Sequence, residues 1–163
     1  MWPTATTWIR RVLTSDATGN ATWQNSNANT GFHVAKNTVQ TIVNNTDVKI
    51  DFTSEITDDA NAFNPTTDEW TIPSNGFYHL TTSLRFATNM LDNTPLIIEI
   101  RKNNFALNFF AGRLTGVPSI SITSNVTLVA GDKITVYMYQ NSGASRFLTN
   151  NPADSFFSGY RVY

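Results

Sequence analysis

Side chains able to do chemistry are sparse in this chain. It has two histidines, His33 and His79, far apart in sequence, and no cysteine. Thiolate metal sites and disulfide staples are therefore excluded, and a metal shared by the two histidines would need a third ligand from a distant loop. Each histidine is read as a hydrogen-bonded or solvent-facing strand residue. The acidic cluster Asp58-Asp59, with Glu55 close by, could offer loop oxygens to calcium, but its spacing is not that of an EF-hand and it is read as a solvated loop. No cofactor is expected. Asp132 follows Ala130-Gly131 and is read as a turn residue rather than a catalyst. There is no Gly-x-Ser-x-Gly elbow for a nucleophile and no Gly-x-x-x-x-Gly-Lys loop for phosphate, and nothing singles out a carboxylate pair. The expectation is a protein that binds rather than turns over. The sequons Asn20-Ala21-Thr22, Asn44-Asn45-Thr46 and Asn125-Val126-Thr127 are what chance produces in a chain this rich in Asn and Thr, which together make up about a quarter of it.

With 11 basic and 12 acidic residues the net charge is -1, so no general attraction to nucleic acid or an anionic membrane is implied. Charged residues are only 14% of the chain, which makes the surface polar but largely uncharged. No segment is long and apolar enough to span a bilayer, and the N-terminus lacks the apolar run of a secretory signal. The length of 163 residues suits one core plus a short extension.

The elements that would position any site are strands. In Tyr78-His79-Leu80-Thr81-Thr82-Ser83-Leu84-Arg85-Phe86 apolar residues alternate with polar ones, so Tyr78, Leu80, Leu84 and Phe86 should point inward. The same period puts Ile120, Ile122, Val126 and Leu128 on one face, Ile134, Val136 and Met138 on another, and Leu96, Ile98 and Ile100 on a third. Turns are expected at Asp92-Asn93-Thr94-Pro95, Lys102-Asn103-Asn104 and Ala130-Gly131-Asp132. Many short strands at this spacing indicate an all-β antiparallel sandwich. With Ile134, Val136 and Met138 inside, Thr135, Tyr137 and Tyr139 face away from the core. Phe109 and Phe110 are adjacent and point to opposite faces, so one of them needs cover. An aromatic ring buries about 150–250 Å² when covered, so these residues call for a partner surface. A loop or the N-terminal hairpin of the same subunit is the alternative cover.

Residues 1–31 read differently from residues 32–163. Trp8-Ile9 with Val12-Leu13, and then Ala21-Thr22-Trp23, flank the turn cluster Ser15-Asp16-Ala17-Thr18-Gly19-Asn20, which predicts a small hairpin followed by a linker from Gln24 to Gly31. A lone hairpin is marginal in water, so this segment is expected to attach to something. The longer loops are expected at 58–68, 88–94 and 142–155. The last combines flexibility with a cation and an aromatic ring, so Ser142, Ser145, Arg146 and Phe147 are the candidate ligand-binding residues.

Three patterns carry a family resemblance: Pro73-Ser74-Asn75-Gly76-Phe77-Tyr78 leading into a central strand, Leu128-Val129-Ala130-Gly131-Asp132 at a later turn, and Phe157-Ser158-Gly159 in the closing strand. Together with the opening strand Phe32-His33-Val34-Ala35-Lys36, residues 32–163 resemble the C1q/TNF-like jelly roll. The resemblance implies a homotrimeric binding head, in which Tyr137, Tyr139 and one of Phe109 and Phe110 would form the threefold contact. Some members of the family bind calcium. The stretch from Val12 to Trp23 separately resembles a segment of bacteriophage fibre and appendage proteins. The combined expectation is a virion-borne, extracellular head that uses residues 1–31 to join other virion proteins and its loops to bind a host receptor or glycan. A structural decoration protein and a secreted C1q/TNF-like ligand are the alternatives. The chain lacks the collagen-like stalk of secreted animal C1q proteins.

Overall fold

A computed structural model describes residues 11–25, 30–88, 90–116 and 119–163. The N-terminal hairpin forms from β1 (Arg11–Ser15) and β2 (Ala21–Asn25), with Leu13 opposite Trp23. The Asp16 carboxylate closes its turn, accepting from the amides of Thr18 and Asn20 at 2.9 and 3.0 Å. Hydrogen bonds from Thr18 and Asn20 pull its pKa down to about 2. Trp8 and Ile9 lie outside the described residues.

After the hairpin come β3 (Phe32–Ala35), β4 (Gln40–Ile42), β5 (Val48–Lys49), β6 (Ser54–Asp58), β7 (Phe63–Asn64) and β8 (Glu69–Thr71). Four long strands then follow, β9 (Gly76–Arg85), β10 (Met90–Lys102), β11 (Phe105–Gly116) and β12 (Ser119–Leu128), and then β13 (Lys133–Gln140), β14 (Arg146–Leu148) and β15 (Phe156–Arg161). The named pairings are all antiparallel. One sheet runs β11-β10-β13-β8-β7, with β5 also on β13, and the other runs β12-β9-β15-β3-β6. The chain crosses repeatedly between the two sheets. This is an antiparallel jelly-roll sandwich, as the alternation and the resemblance led us to expect.

Period-two patterning decides what lies between the sheets. Leu96, Ile98 and Ile100 of β10 and Ile134, Val136 and Met138 of β13 are buried, as are Tyr78, Leu80 and Leu84 of β9 and Phe86 just beyond it. Trp70 of β8 ties the layers together. Its ring stacks on Phe32 of β3 at 4.1 Å and meets Tyr78 edge-on at 5.6 Å.

The three sequence patterns have local causes. The buried Tyr78 ring reaches back so that its hydroxyl donates to the Ser74 carbonyl at 2.6 Å, holding the turn that leads into β9. Gly76 is required there because a β-carbon would come within 2.7 Å of the Tyr163 carbonyl oxygen. Phe157 packs edge-on against Phe32 at 4.8 Å, and Gly159 leaves space beside it for Leu80 and Phe32. Asp132 is a turn residue. Its carboxylate accepts from the Val129 amide at 3.0 Å and the Asn103 side chain at 2.8 Å, and it pairs with Lys102 at 3.0 Å.

One expected turn is absent. Asp92-Asn93-Thr94-Pro95 lies inside β10, because Asn93 takes a positive φ of 62° and the register with β11 shifts between Met90 and Thr94. The turn-forming residues make a bulge and the strand continues through it. The Asn103-Asn104 turn forms as expected, with both residues at positive φ (50° and 70°), the geometry of a tight hairpin.

Candidate binding surfaces

The outer face of the β10/β13 sheet carries Tyr137 and Tyr139. Tyr137 lies opposite Glu99 and Tyr139 opposite Ile97, and Phe109 is the β11 partner of Glu99, so Phe109 shares this face with Tyr137. Neither tyrosine is left open to water; both are half-buried. The Arg101 guanidinium sits 3.9 Å over the Tyr137 ring, and the Tyr139 hydroxyl donates to Asn45 Oδ1 at 2.7 Å. Thr135 also faces away from the core, yet it is only 2% exposed beside its register partner Arg101. These rings find much of their cover within the subunit, so on their own they do not demand a second chain. Charge dominates the rest of the face. Arg101 pairs with Glu99 and with Asp47 at 3.0 Å, while Glu69 takes Lys133 at 2.9 Å and Lys49 at 3.4 Å. The hydrogen bond from Lys133 is the largest of the effects that hold the Glu69 carboxyl below its ordinary range.

The outer face of the β9/β15 sheet is different. Tyr160, His79 and Asn125 lie in one row across β15, β9 and β12, with His79 Nδ1 2.8 Å from Asn125 Oδ1 and the Tyr160 ring 5.2 Å from His79. Ser158, Thr81 and Thr123 form the next row, with the threonine hydroxyls 3.1 Å apart, and Phe156, Ser83 and Ser121 the next. None of these residues is a lysine, arginine, aspartate or glutamate. His33 extends this face on β3 and packs on Phe156 at 5.3 Å. Burial holds its pKa below the usual 6.5. Along the sandwich edge beside this face runs β11, whose Phe105, Phe109 and Phe110 are 79%, 60% and 39% exposed. Phe110 lies over Gly112, and Asn108 reaches across to donate to the Thr123 carbonyl at 2.8 Å.

The segment after β13 is more ordered than its composition implies. Buried Gln140 donates to the carbonyls of Ile42 (3.1 Å) and Ala144 (3.0 Å) and accepts from the Ser142 amide (2.8 Å). Arg146 Nε donates to Ser142 Oγ at 2.8 Å, which brings those two candidate residues together. Ser145 and Phe147 are exposed, and Phe147 sits on β14, which pairs with β4. Leu148 is fully buried, so the stretch 142–155 is not one loose loop.

The acidic residues are partly committed to structure. Asp58 Oδ2 accepts from the Phe63 amide at 2.7 Å, and among the described residues no group of three or more His, Cys, Asp or Glu is placed to hold a metal ion. Two features escaped the sequence reading. Lys36 is fully buried, bonded to the Asp51 carboxylate, the Asp51 carbonyl (2.8 Å) and Gln40 (3.2 Å), and burial depresses its pKa. The other is a cleft lined by Thr30 and Gly31 before β3, Asp59 after β6, and Tyr160 and Arg161 at the end of β15.

Comparison with known proteins agrees with this architecture. The family model for the C1q domain matches residues 31–162. No curated protein sequence matches the chain. Among solved structures, the chain is similar to Eiger TNF from S. frugiperda (TM-score 0.63, 13% identity, 83% of this chain and 94% of that one). It is also similar to the globular domain of zebrafish complement 1qA protein (TM-score 0.61, 16% identity, 83% and 98%). Murine APRIL at pH 8.5 gives a TM-score of 0.62 at 12% identity, with 82% and 99% covered. Identities this low speak for the fold alone. The family match, by contrast, spans the whole sandwich and contains the patterns at Pro73, Gly131 and Phe157, so the chain belongs to the C1q-domain family.

Proposed function

We propose that this domain is the trimeric, non-enzymatic binding head of a phage fibre or comparable virion appendage, attached through its N-terminal hairpin and binding a receptor or glycan on a host surface. Domains of this family are typically extracellular, trimeric binding modules. The observation that carries the reading is the contrast between the two outer faces. Covering the β10/β13 face would desolvate a network of ion pairs, which commonly costs more than it returns. Covering the β9/β15 face removes mainly hydroxyls, an amide, imidazoles and rings from water, with the single ion pair Arg85–Asp154 at its end, and Phe110 of β11 lies at its edge ready to be covered. An interface core poor in charge and rich in aromatics fits this surface. An edge of one copy packed on a face of the next is a head-to-tail contact, and three such contacts close a ring. Three copies then present identical loops on one axis, so that weak single contacts add through effective concentration. The resemblance of residues 12–23 to fibre segments supports the virion setting, and the paired, exposed Leu13 and Trp23 suit an attachment surface. A secreted ligand of the same family would share the trimer and differ in its target.

Sedimentation tests the assembly. The wild type is expected at three times the 18.1 kDa chain mass, and Phe110→Ser as a monomer. A monomeric wild type removes the proposal. If instead Tyr137→Ser/Tyr139→Ser dissociates the trimer and the phenylalanine variant does not, the contact belongs to the charged face. Binding of labelled trimer to host cells, and its loss in Ser145→Glu/Phe147→Ser, tests the role of the loop in attachment.

A further inference from the structure

Lys36 follows β3 directly, and its side chain is wholly inaccessible to solvent. A lysine is almost never buried this deeply without a partner. Its Nζ bonds the Asp51 carboxylate, the Asp51 carbonyl at 2.8 Å and Gln40 Oε1 at 3.2 Å, and the contact with the Asp51 carboxylate is the closest of the ion pairs among the described residues. The backbone fixes both partners. Ala35, just before Lys36, is the register partner of Ser54 on β6, and the Asp51 amide donates to the same Gln40 oxygen at 3.2 Å. A second carboxyl stands beside the pair. Asp68 Oδ1 accepts from the amide of Phe52, the residue after Asp51, at 2.9 Å. Burial raises the Asp68 carboxyl above its ordinary value, and burial lowers the Lys36 ammonium by more than the bond to Asp51 raises it.

A stable ion pair needs only the ammonium and one carboxylate. Here the site adds what an amide-forming reaction requires: an amine whose burial disfavours its proton, a carboxyl carbon held against it, and a second carboxyl able to carry a proton. We propose that Lys36 and Asp51 join in an intramolecular isopeptide bond. The Lys36 nitrogen attacks Asp51 Cγ, the Nζ–Cγ bond forms, one Cγ–O bond breaks, and that oxygen leaves as water. Asp68 takes a proton from the nitrogen and gives one to the leaving oxygen, so the step consumes no oxidant, reductant or co-reactant. Fixing the two groups in place supplies an effective concentration on the order of 10⁵ M or more, which no amine and acid free in water can match. The Asp51 side chain is 39% exposed, which gives the water a way out, while the Lys36 side stays dry. The product strands no acceptor. The new amide N–H can donate to the Asp51 carbonyl, and Gln40 Oε1 keeps the Asp51 amide as its donor. In a chain without cysteine, a bond between residues 15 apart would staple the end of β3 to the segment before β6, as a disulfide does elsewhere.

Mass spectrometry of the denatured full chain decides. The folded wild type, once unfolded for the measurement, is expected to weigh one water less than its sequence requires, and protease digestion should release a branched peptide that joins Lys36 to Asp51. Lys36→Met and Asp51→Ala should show the full sequence mass. Asp68→Asn keeps an oxygen for the Phe52 amide, so it should fold, retain the water, and leave Lys36 open to an amine-modifying reagent once the chain is unfolded. The wild type should resist that modification at Lys36 even in denaturant. A wild type that folds and still has its full sequence mass overturns the proposal and leaves Lys36 and Asp51 as a buried ion pair. So does a missing water that maps to any other residues. A branched peptide in Asp68→Asn at the wild-type yield would overturn the proton-transfer role given to Asp68. None of these readouts depends on trimer formation or on host binding.

Discussion

Gly159 has no room for a side chain. A β-carbon would sit 2.7 Å from Leu80 Cδ2, 3.0 Å from Phe32 Cε1 and 3.1 Å from the His79 carbonyl, all within the packed core. Gly159→Ala therefore overpacks, and equilibrium urea unfolding should show a loss of about 2–3 kcal/mol. Gly143 is the contrast. It has nothing within 4 Å, but its φ is +83°. Gly143→Ala meets only backbone strain, and the same measurement should give about 1 kcal/mol. A larger loss at Gly143 than at Gly159 would mean that the turn after β13, and not the Phe157–Gly159 strand, limits stability. The Phe-x-Gly pattern is legible in the sequence for this reason: only glycine fits where two core side chains meet the backbone of β15.

At the scale of elements, the Asp132 carboxylate fastens the β12–β13 turn to the β10–β11 hairpin. It bonds Val129 within its own turn, and Asn103 and Lys102 at the other. Burial raises its pKa, but the hydrogen bonds from Val129, Lys102 and Asn103 outweigh this and leave it below the ordinary carboxylate value. Asp132→Ala strands these donors and should cost about 3 kcal/mol in thermal or urea unfolding near pH 7. A carboxyl with a depressed folded pKa stabilises fully above its unfolded value near 4, and that contribution is lost as the pH falls through the folded value. The gap between wild type and Asp132→Ala should therefore shrink in acid, and a gap that persists unchanged below pH 3 would contradict this account. The Leu-x-x-Gly-Asp pattern shows that a turn lies here. Its link to Asn103 depends on β10 and β13 being neighbours in the sheet.

For the whole molecule, the charge-poor face of the β9/β15 sheet also predicts a pH response. His33 lies on that face beside Phe156, with Thr57 and Ser158 as register partners, and no carboxylate among them favours its protonated form. Burial lowers its pKa, so a state in which it is free binds the proton first. Stability is full above about 6.5 and falls as the pH drops below that value. The melting temperature should decline between pH 7.5 and pH 5, and His33→Gln should flatten the decline. If the trimer covers this face, sedimentation over the same range should show dissociation at the acidic end. A trimer indifferent to pH, with wild type and His33→Gln melting alike, would place His33 outside any contact.

The jelly roll and its inward residues follow from local rules. Alternation assigns Leu80, Ile98, Val136 and their neighbours to the core whatever the partner strand, and the Pro, Gly and Asn residues mark where the chain reverses. The hairpin around Asp16 is local in the same way, since its cap spans only a few residues. Three features required the tertiary structure. Tyr137 and Tyr139 face outward by alternation, but their cover by Arg101 and Asn45 comes from strands and loops brought near by the sheet order. Lys36 ends the opening strand pattern, and its burial depends on Asp51 and Gln40 converging on it. The cleft joins Thr30 and Asp59 to Tyr160 and Arg161, whose nearness exists only because β15 closes the sheet against β3. Period and turn chemistry are properties of a short stretch of chain, whereas cover, ion pairing and a shared cleft depend on which distant stretches the sandwich packs together.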